Sequence, residues 1–376
     1  MTVRAGILGT GFMARVHAQA VASSGNTVVG VVGSSWESST RFAQGLPAGR
    51  GLADLDELLA LEPDVVHVCT PNALHREQAE RILAAGVSVI VEKPLATTAA
   101  DAAAVVGRRH LARVAAVPFI YRYYPLVREI RERIRRAPKN RLWLLHGSYL
   151  QDWLAGVTDT NWRVDPATGG ASRAFGDIGV HWCDLMEFVT GQRIVSLSAT
   201  TGNAFTRAGG AAQNATEDGA IVSFTTDAGA IGSLVVSQAS AGRGNRLWFS
   251  FDGPDESYEF DQERPETVWV GSRSESRLLQ RDPAKAAAAP PGATPLPVGH
   301  PQGYQQCFND FVLDAYRAVQ GGESPDLPTV MDGLRASLLT EAVLESAASG
   351  ATVPVPSVWS YLAEREALQS GASAAG

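Results

Sequence analysis

Cysteine is scarce in this 376-residue chain. Cys69, Cys183 and Cys307 show neither paired nor metal-ligand spacing. That pattern excludes a disulfide framework and a zinc module, gives no reason to expect a metal, and fits a reducing cytoplasm. Positive charge is also short. Lys and Arg number 32 against 39 Asp and Glu, a net charge of −7, with no basic block. Nucleic acid and anionic membrane are therefore not expected partners. No apolar run approaches the ~20 residues of a membrane span. A first strand is expected from Val3, so no signal peptide is expected and the location is taken as cytoplasmic. What the chain does have is apolar residues, 45% of the total. That is enough for a large core and about two domains.

The most informative stretch runs from Val3 to His17. Val3 to Leu8 is apolar and short, as a buried parallel strand is. Gly9, Thr10 and Gly11 break it, and a helical pattern follows to about Ser23. Gly9, Gly11 and Ala14 fit G-x-G-x-x-A, a dinucleotide-binding fingerprint. Gly9 permits the tight turn. Gly11 lets a pyrophosphate approach the backbone. Ala14 lets the helix pack closely on its strand. The helix N-terminus offers free N–H groups to phosphate, so Gly9, Thr10, Gly11, Phe12 and Met13 are expected to hold the cofactor.

Strand and helix patterns alternate from there to about Phe119, which implies an α/β fold with a doubly wound parallel sheet covered on both faces. Helices are expected over Leu52 to Leu61 and Asn72 to Ala85, and a last strand over Val114 to Phe119. Ligands of such sheets sit at the carboxyl ends of the strands. After the second strand come Gly33, Ser34 and Ser35, with no acid to bind ribose hydroxyls; the nearest is Glu37. Ser34 and Ser35 tolerate a 2′-phosphate, so the cofactor is NADP or NAD, leaning to NADP. After the third strand come Thr70, Pro71 and Asn72, then His75. After the fourth come Glu92, Lys93 and Pro94. A charged pair at the end of a buried apolar strand marks a candidate site.

G-x-G-x-x-A, then T-P-N-x-x-H at Thr70 to His75, then E-K-P at Glu92 to Pro94, in this order, resemble the Gfo/Idh/MocA oxidoreductase family. Asn161-Trp162-Arg163, Gly169-Gly170, Asp177-Ile178-Gly179-Val180-His181 with Asp184, and Pro325-Asp326 with Gly333 continue the likeness across essentially the whole chain. The resemblance implies an N-terminal Rossmann domain (1–120) and a C-terminal α/β domain (121–376) with an open, mainly antiparallel sheet. It also implies a homodimer or homotetramer through that sheet. It implies hydride transfer between NAD(P) and an alcohol carbon of a sugar, polyol or sugar derivative, with Lys93, Asp177 and His181 at the reacting carbon. Arg122, Trp162 and Arg163 join the expected cofactor contacts, although Arg122 is equally read as a hinge residue and Asp184 as structural.

Asp177 to Thr190 is expected to be one helix, so Asp177 and His181, four apart, share a face. Histidine already titrates near neutrality and suits a proton acceptor. His181 is assigned that role, Lys93 the stabilisation of alkoxide, and Asp177 the orientation of substrate or His181; the reverse assignment of Lys93 and His181 stays open. The loop with Trp153, Asp159, Trp162 and Arg163 suits a sugar. Pro125 to Arg136 is read as an amphipathic helix with a solvated basic face, 282–299 as a long loop, and 369–376 as a loose end. Two other readings of the same fold remain: a non-redox NAD enzyme (glycosidase, epimerase or dehydratase), and a nucleotide-binding regulator. The retained Lys93 argues against the regulator.

Overall fold

The structure is a computed structural model that describes residues 2–47, 49–207, 216–283 and 296–374. Most of the 282–299 loop lies outside the described residues. Eleven elements alternate in the N-terminal part: β1 (Arg4–Leu8), α1 (Phe12–Ser23), β2 (Thr27–Val32), α2 (Trp36–Ala43), β3 (Gly51–Leu52), α3 (Leu55–Leu59), β4 (Val65–Val68), α4 (His75–Ala84), β5 (Ser88–Val91), α5 (Ala99–Gly107) and β6 (Ala115–Ala116). They form a six-stranded parallel sheet of order β3-β2-β1-β4-β5-β6. The order reverses beside β1, which opens a crevice at the strand carboxyl ends. Every residue of β4 and β5 is buried, as expected for strands covered on both faces. Ser35, Asp54 and Thr98 cap α2, α3 and α5 through side-chain oxygens, which places each helix start.

Then follow α6 (Pro125–Arg136), β7 (Leu144–Leu150), α7 (Pro166–Gly169), α8 (Val180–Thr190), β8 (Ile194–Gly202), β9 (Gly219–Thr226), β10 (Ile231–Ser237), β11 (Arg246–Asp252), β12 (Glu256–Asp261), β13 (Thr267–Ser272), β14 (Ser276–Gln280), α9 (Tyr304–Val319), α10 (Val330–Ser349), β15 (Val353–Pro354) and α11 (Val358–Ala374). The second sheet has nine strands, ordered β14-β13-β12-β11-β7-β10-β9-β8-β15. All its pairs are antiparallel except β7 with β10. The α/β fold with an open, mainly antiparallel second sheet is therefore present. Two late helices return to the first sheet. α9 packs on α1, where Gln305 Nε2 donates to the Val16 carbonyl at 3.3 Å. α10 packs on α5, where Glu341 accepts from the Ala99 N–H at 2.7 Å.

Several local expectations shift. The strand expected over Val114 to Phe119 pairs only at Ala115–Ala116, because Val117 N–H turns to the Pro328 carbonyl and Pro118 has no N–H to give. The helix before Ala85 opens with a tight turn over Asn72–Leu74. α11 continues through Ala374, into the stretch expected to be loose. The basic face of α6 is not all solvated. Arg128 is buried over the Tyr123 ring, and Arg131 pairs with Asp326 at 2.8 Å.

Arg122 does not reach the crevice, which corrects its reading as a cofactor contact. It sits buried in the turn Ile120–Tyr123 between the two sheets. Its Nε donates to Asp184 at 2.8 Å, and Nη2 bridges Asp184 and Asp332, the latter at 2.7 Å. The guanidinium lies 5.0 Å from the Phe188 ring centre. All its reach is spent on tying α8 and α10 to the connecting turn. Removing one partner from a buried ion pair costs about 3–5 kcal/mol because the remaining charge stays buried. Arg122→Leu should therefore lower stability in urea by about that amount while leaving dinucleotide affinity unchanged. A large loss of cofactor affinity at intact stability would return Arg122 to the site.

Candidate active site

The crevice starts where β1 ends. Gly9 has φ +109°, and a Cβ there would stand 2.5 Å from the Cys69 carbonyl oxygen, so no side chain fits. Gly11 opens α1 with no side-chain cap and empty space where its Cβ would be. The first N–H groups of α1 are thus left for an anion. Ala14 is fully buried against the sheet. A crevice of about 530 Å³ runs from Gly9, Thr10, Gly11, Phe12 and Met13 past Ser34, Thr70, Pro71, Asn72 and His75 to Glu92 and Lys93. Asn161, Trp162 and Arg163 face it from the second part of the chain. The irreplaceable glycine, the uncapped helix and the elongated crevice fit a dinucleotide.

Some of these residues shape the crevice rather than present a free polar group. Ser35, expected as a cofactor contact, does not line the crevice; its oxygen accepts from the Ser38 N–H at 3.2 Å as the cap of α2. Thr70 Oγ1 donates to Gln78 at 2.6 Å. Asn72 Nδ2 donates to the Gly169 carbonyl at 2.7 Å and so joins the two parts of the chain. His75 is buried with its ring nitrogens 2.7 Å from the Pro94 carbonyl and 2.9 Å from that of Thr70. It fixes the loops after β4 and β5 against each other.

Lys93, Asp177 and His181 do come together. The carboxylate of Asp177 accepts from Lys93 Nζ, and its carbonyl accepts from the same nitrogen at 2.9 Å. Asp177 Oδ2 accepts from Gln238 Nε2 at 2.6 Å, and Arg163 Nε stands 3.5 Å from Oδ1. Burial alone would raise the Asp177 carboxyl; Lys93 and then Arg163 outweigh it and hold it below the ordinary carboxylate range. Asp177 therefore contacts Lys93 and not, as expected, His181, whose Nδ1 has no partner. The single helix expected here is in fact a wider π turn, Phe175–Gly179, followed by α8. π turns in helices are frequent at functional sites. His181 is buried among Phe119, Tyr121 and Tyr149, and its Nδ1 has no hydrogen-bond partner. Burial, then the charge of Lys93, push it down to about 3. The ring is therefore neutral, and it binds a proton more weakly than the ordinary histidine expected from the sequence.

These three groups line a second cavity of about 410 Å³ that meets the crevice at Glu92 and Lys93. Of its far wall, the sequence points only to Trp153. Tyr121 and Tyr149 share a hydroxyl hydrogen bond, Tyr149 donates to Asn245 Oδ1 at 2.8 Å, and Gln151 Nε2 donates to the same oxygen at 2.7 Å. Trp153 Nε1 donates to Gln151 at 2.8 Å. Sheet register assembles this wall. Ser237 pairs with Leu150, and Arg246 with Leu150, so Gln238, Gln151 and Asn245 leave the sheet at one end. A polar residue directly after an apolar strand was the available signal. Trp162 lies on the crevice side, under the Arg163 guanidinium at 4.3 Å. Asp159 turns away to the Gly156 N–H at 2.7 Å. Among the described residues, no three His, Cys, Asp or Glu are arranged to hold a metal.

The fold and the crevice define a Rossmann-type, NAD-binding oxidoreductase, and comparison with known sequences agrees. Residues 3–115 match the oxidoreductase family with an NAD-binding Rossmann fold, and 127–257 match the Gfo/Idh/MocA C-terminal domain. The chain belongs to the Gfo/Idh/MocA family. Levoglucosan dehydrogenase of Pseudarthrobacter phenanthrenivorans is 28% identical over 402 residues, covering 94% of this chain and 98% of that protein. A solved oxidoreductase domain protein from Kribbella flavida superposes with a TM-score of 0.85 at 27% identity, covering 95% of this chain and all of the other. Levoglucosan dehydrogenase in complex with NADH and levoglucosan superposes with a TM-score of 0.84 at 26% identity and the same coverage.

The low affinity of His181 for protons has a kinetic signature. Its folded-state value lies below the ordinary one, so the accepting form predominates from about pH 4 upward. The pH profile of kcat/KM for alcohol oxidation should show no histidine limb near pH 6.5. A limb there that disappears in His181→Gln would contradict this reading.

Proposed function

We propose that the chain is an NAD(P)-dependent dehydrogenase that moves a hydride between the cofactor and an alcohol carbon of an uncharged sugar, polyol or sugar derivative. The observation that carries this is the Lys93–Asp177 pair beside a neutral, unpartnered His181, at the point where the sugar-sized cavity meets the dinucleotide crevice. The nicotinamide, when bound, supplies the hydride acceptor or donor. Lys93, already anchored by Asp177 on two sides, donates its remaining N–H to the reacting oxygen and stabilises developing alkoxide. His181 accepts the hydroxyl proton. An ammonium paired with a carboxylate has no lone pair to take that proton, which favours this assignment over the reverse. Asn245, Gln151 and Trp153 supply hydroxyl partners and an apolar face.

Charge limits the substrate. Lys93 and Arg163 in the cavity are balanced by Asp177 and Glu92. No surplus cation remains among the described lining residues to hold a phosphate. The levoglucosan bound by the related dehydrogenase is likewise uncharged.

For the cofactor we keep the lean to NADP. Ser34 lines the crevice, whose lining at this turn includes no carboxylate; Glu37 is engaged by the Ser35 side chain, and Arg41 and Ser38 line an adjoining cleft with Thr10 and Arg15. Ser34→Asp should shift preference toward NAD by repelling a 2′-phosphate. Much tighter binding of NAD than NADP by the unaltered protein would overturn the lean.

We further read residues 1–120 and 121–376 as the cofactor and substrate units, cytoplasmic, and paired through the second sheet. Ile221, Ile231 and Val235 stand exposed on one face of that sheet. Such a patch marks an interaction surface, and light scattering should find a homodimer or homotetramer. No helix among the described residues is long and apolar enough to cross a membrane.

The direct test is a panel of uncharged sugars and polyols, with phosphorylated ones as controls, read by reduced-nicotinamide absorbance. Lys93→Met and His181→Ala should each lose about 10²–10⁴ in turnover while still binding cofactor. Near-normal turnover in both would place the chemistry elsewhere.

A further inference from the structure

Three buried polar side chains have no task in the chemistry above. His17 on α1 and His67 on β4 are fully buried, and Tyr316 on α9 nearly so. They form one unbroken chain with Glu92. His17 Nε2 lies 2.9 Å from Glu92 Oε1, His17 Nδ1 lies 2.7 Å from His67 Nδ1, and His67 Nε2 lies 2.7 Å from the Tyr316 hydroxyl. Burying two imidazoles, a carboxyl and a phenol in an apolar core is costly unless each is satisfied. Here each is paired along the chain.

With Glu92 ionised, His17 donates Nε2–H to it. Its Nδ1 is then bare and accepts from His67 Nδ1–H, whose bare Nε2 accepts from Tyr316 O–H. Reversing every bond gives the second arrangement, in which a protonated Glu92 donates inward and the Tyr316 hydroxyl, whose one hydrogen-bond partner among the described residues is His67, needs a solvent molecule as its outer partner. The two arrangements differ by one proton on Glu92. The balance is simple: Tyr316 takes a proton from water as its own passes to His67 Nε2, the Nδ1 proton of His67 passes to His17 Nδ1, and the Nε2 proton of His17 passes to Glu92 Oε1. The outer end lies within the influence of Asp64, which is exposed. The inner end lines both the crevice and the cavity.

Other charges also face Glu92. Lys93 follows it in the chain, His181 approaches from α8, His75 from α4, Cys69 from the end of β4 and Tyr304 from α9. Burial raises the Glu92 carboxyl, but the hydrogen bond from His17 and the charge of Lys93 outweigh it and hold it below the ordinary carboxylate value. A cation within ~4–6 Å favours a carboxylate by about 1–3 pKa units, and covering it with a neutral group acts the other way. Oxidised and reduced nicotinamide differ in this respect.

We propose that Tyr316, His67 and His17 are positioning residues that form a proton relay to Glu92, loading it when a neutral reduced nicotinamide covers it and unloading it when the ring is cationic. The proposal rests on the cofactor reading above. Calorimetric titration of NAD⁺ and NADH (or their 2′-phosphorylated forms, if these bind tighter) in buffers of different ionisation enthalpy counts the protons exchanged. More protons should be taken up with the reduced form, and Glu92→Gln should abolish the difference. Route is tested by stopped flow, with cofactor fluorescence reporting binding and a pH indicator reporting proton uptake. In the unaltered protein the two should coincide. In Tyr316→Phe, which keeps the ring, and in His67→Leu, proton uptake should lag by about 10²-fold behind an unchanged binding phase. Equal proton counts for the two redox forms, or no lag in Tyr316→Phe, overturns the relay alone. Absence of any cofactor binding overturns the cofactor reading and the relay with it.

Discussion

The ion pair between Lys93 and Asp177 is the contact on which the rest of the site depends. Lys93 stands directly after β5, at the carboxyl edge of the parallel sheet, and Asp177 belongs to the π turn that leads into α8. The pair therefore spans the two parts of the chain. Each side is fixed separately. Gln238 and Arg163 hold the carboxylate, while the His75 imidazole pins the loop after β5. The ammonium cannot swing away without leaving Asp177 in a buried place with only Arg163 as counter-charge. A charge-assisted contact of this kind is strong and directional. Two of the three Lys93 N–H groups are thereby committed to Asp177.

Around that pair the charges are arranged to cancel, and both Asp177 and His181 are held without their titrating proton. Asp177 is held ionised by its cationic neighbours, whereas His181 is held neutral by burial and by the same Lys93. The rings of Tyr121, Tyr149 and Tyr304 line the same cavity, and surroundings of low polarity strengthen each electrostatic contact.

How much of this the sequence discloses depends on how local each constraint is. Gly9 was readable because its positive φ and the nearby Cys69 carbonyl leave no alternative residue. Lys93 and His181 were readable through their motifs. Arg122 was misread because a charged residue at a junction looks the same whether it faces a ligand or two buried carboxylates; only the approach of Asp184 and Asp332, far along the chain, decides it. The role of Asp177 shifted because a regular helix was assumed where a wider turn occurs. Tyr149, Gln238 and Asn245 escaped notice because strand register alone brings them together, and register is a property of the whole sheet. The chain from Glu92 to Tyr316 joins residues 17, 67, 92 and 316 and leaves no periodic trace at all.

The most direct measurement is a double-mutant cycle on turnover with saturating cofactor and sugar, using Lys93→Met, Asp177→Asn and the two combined. If Asp177 acts by holding Lys93, the double variant should be about as slow as Lys93→Met alone, because residues that act as a unit are not additive. If the two losses multiply, Asp177 and Lys93 contribute independently, and the account of the site as one bridged pair is wrong.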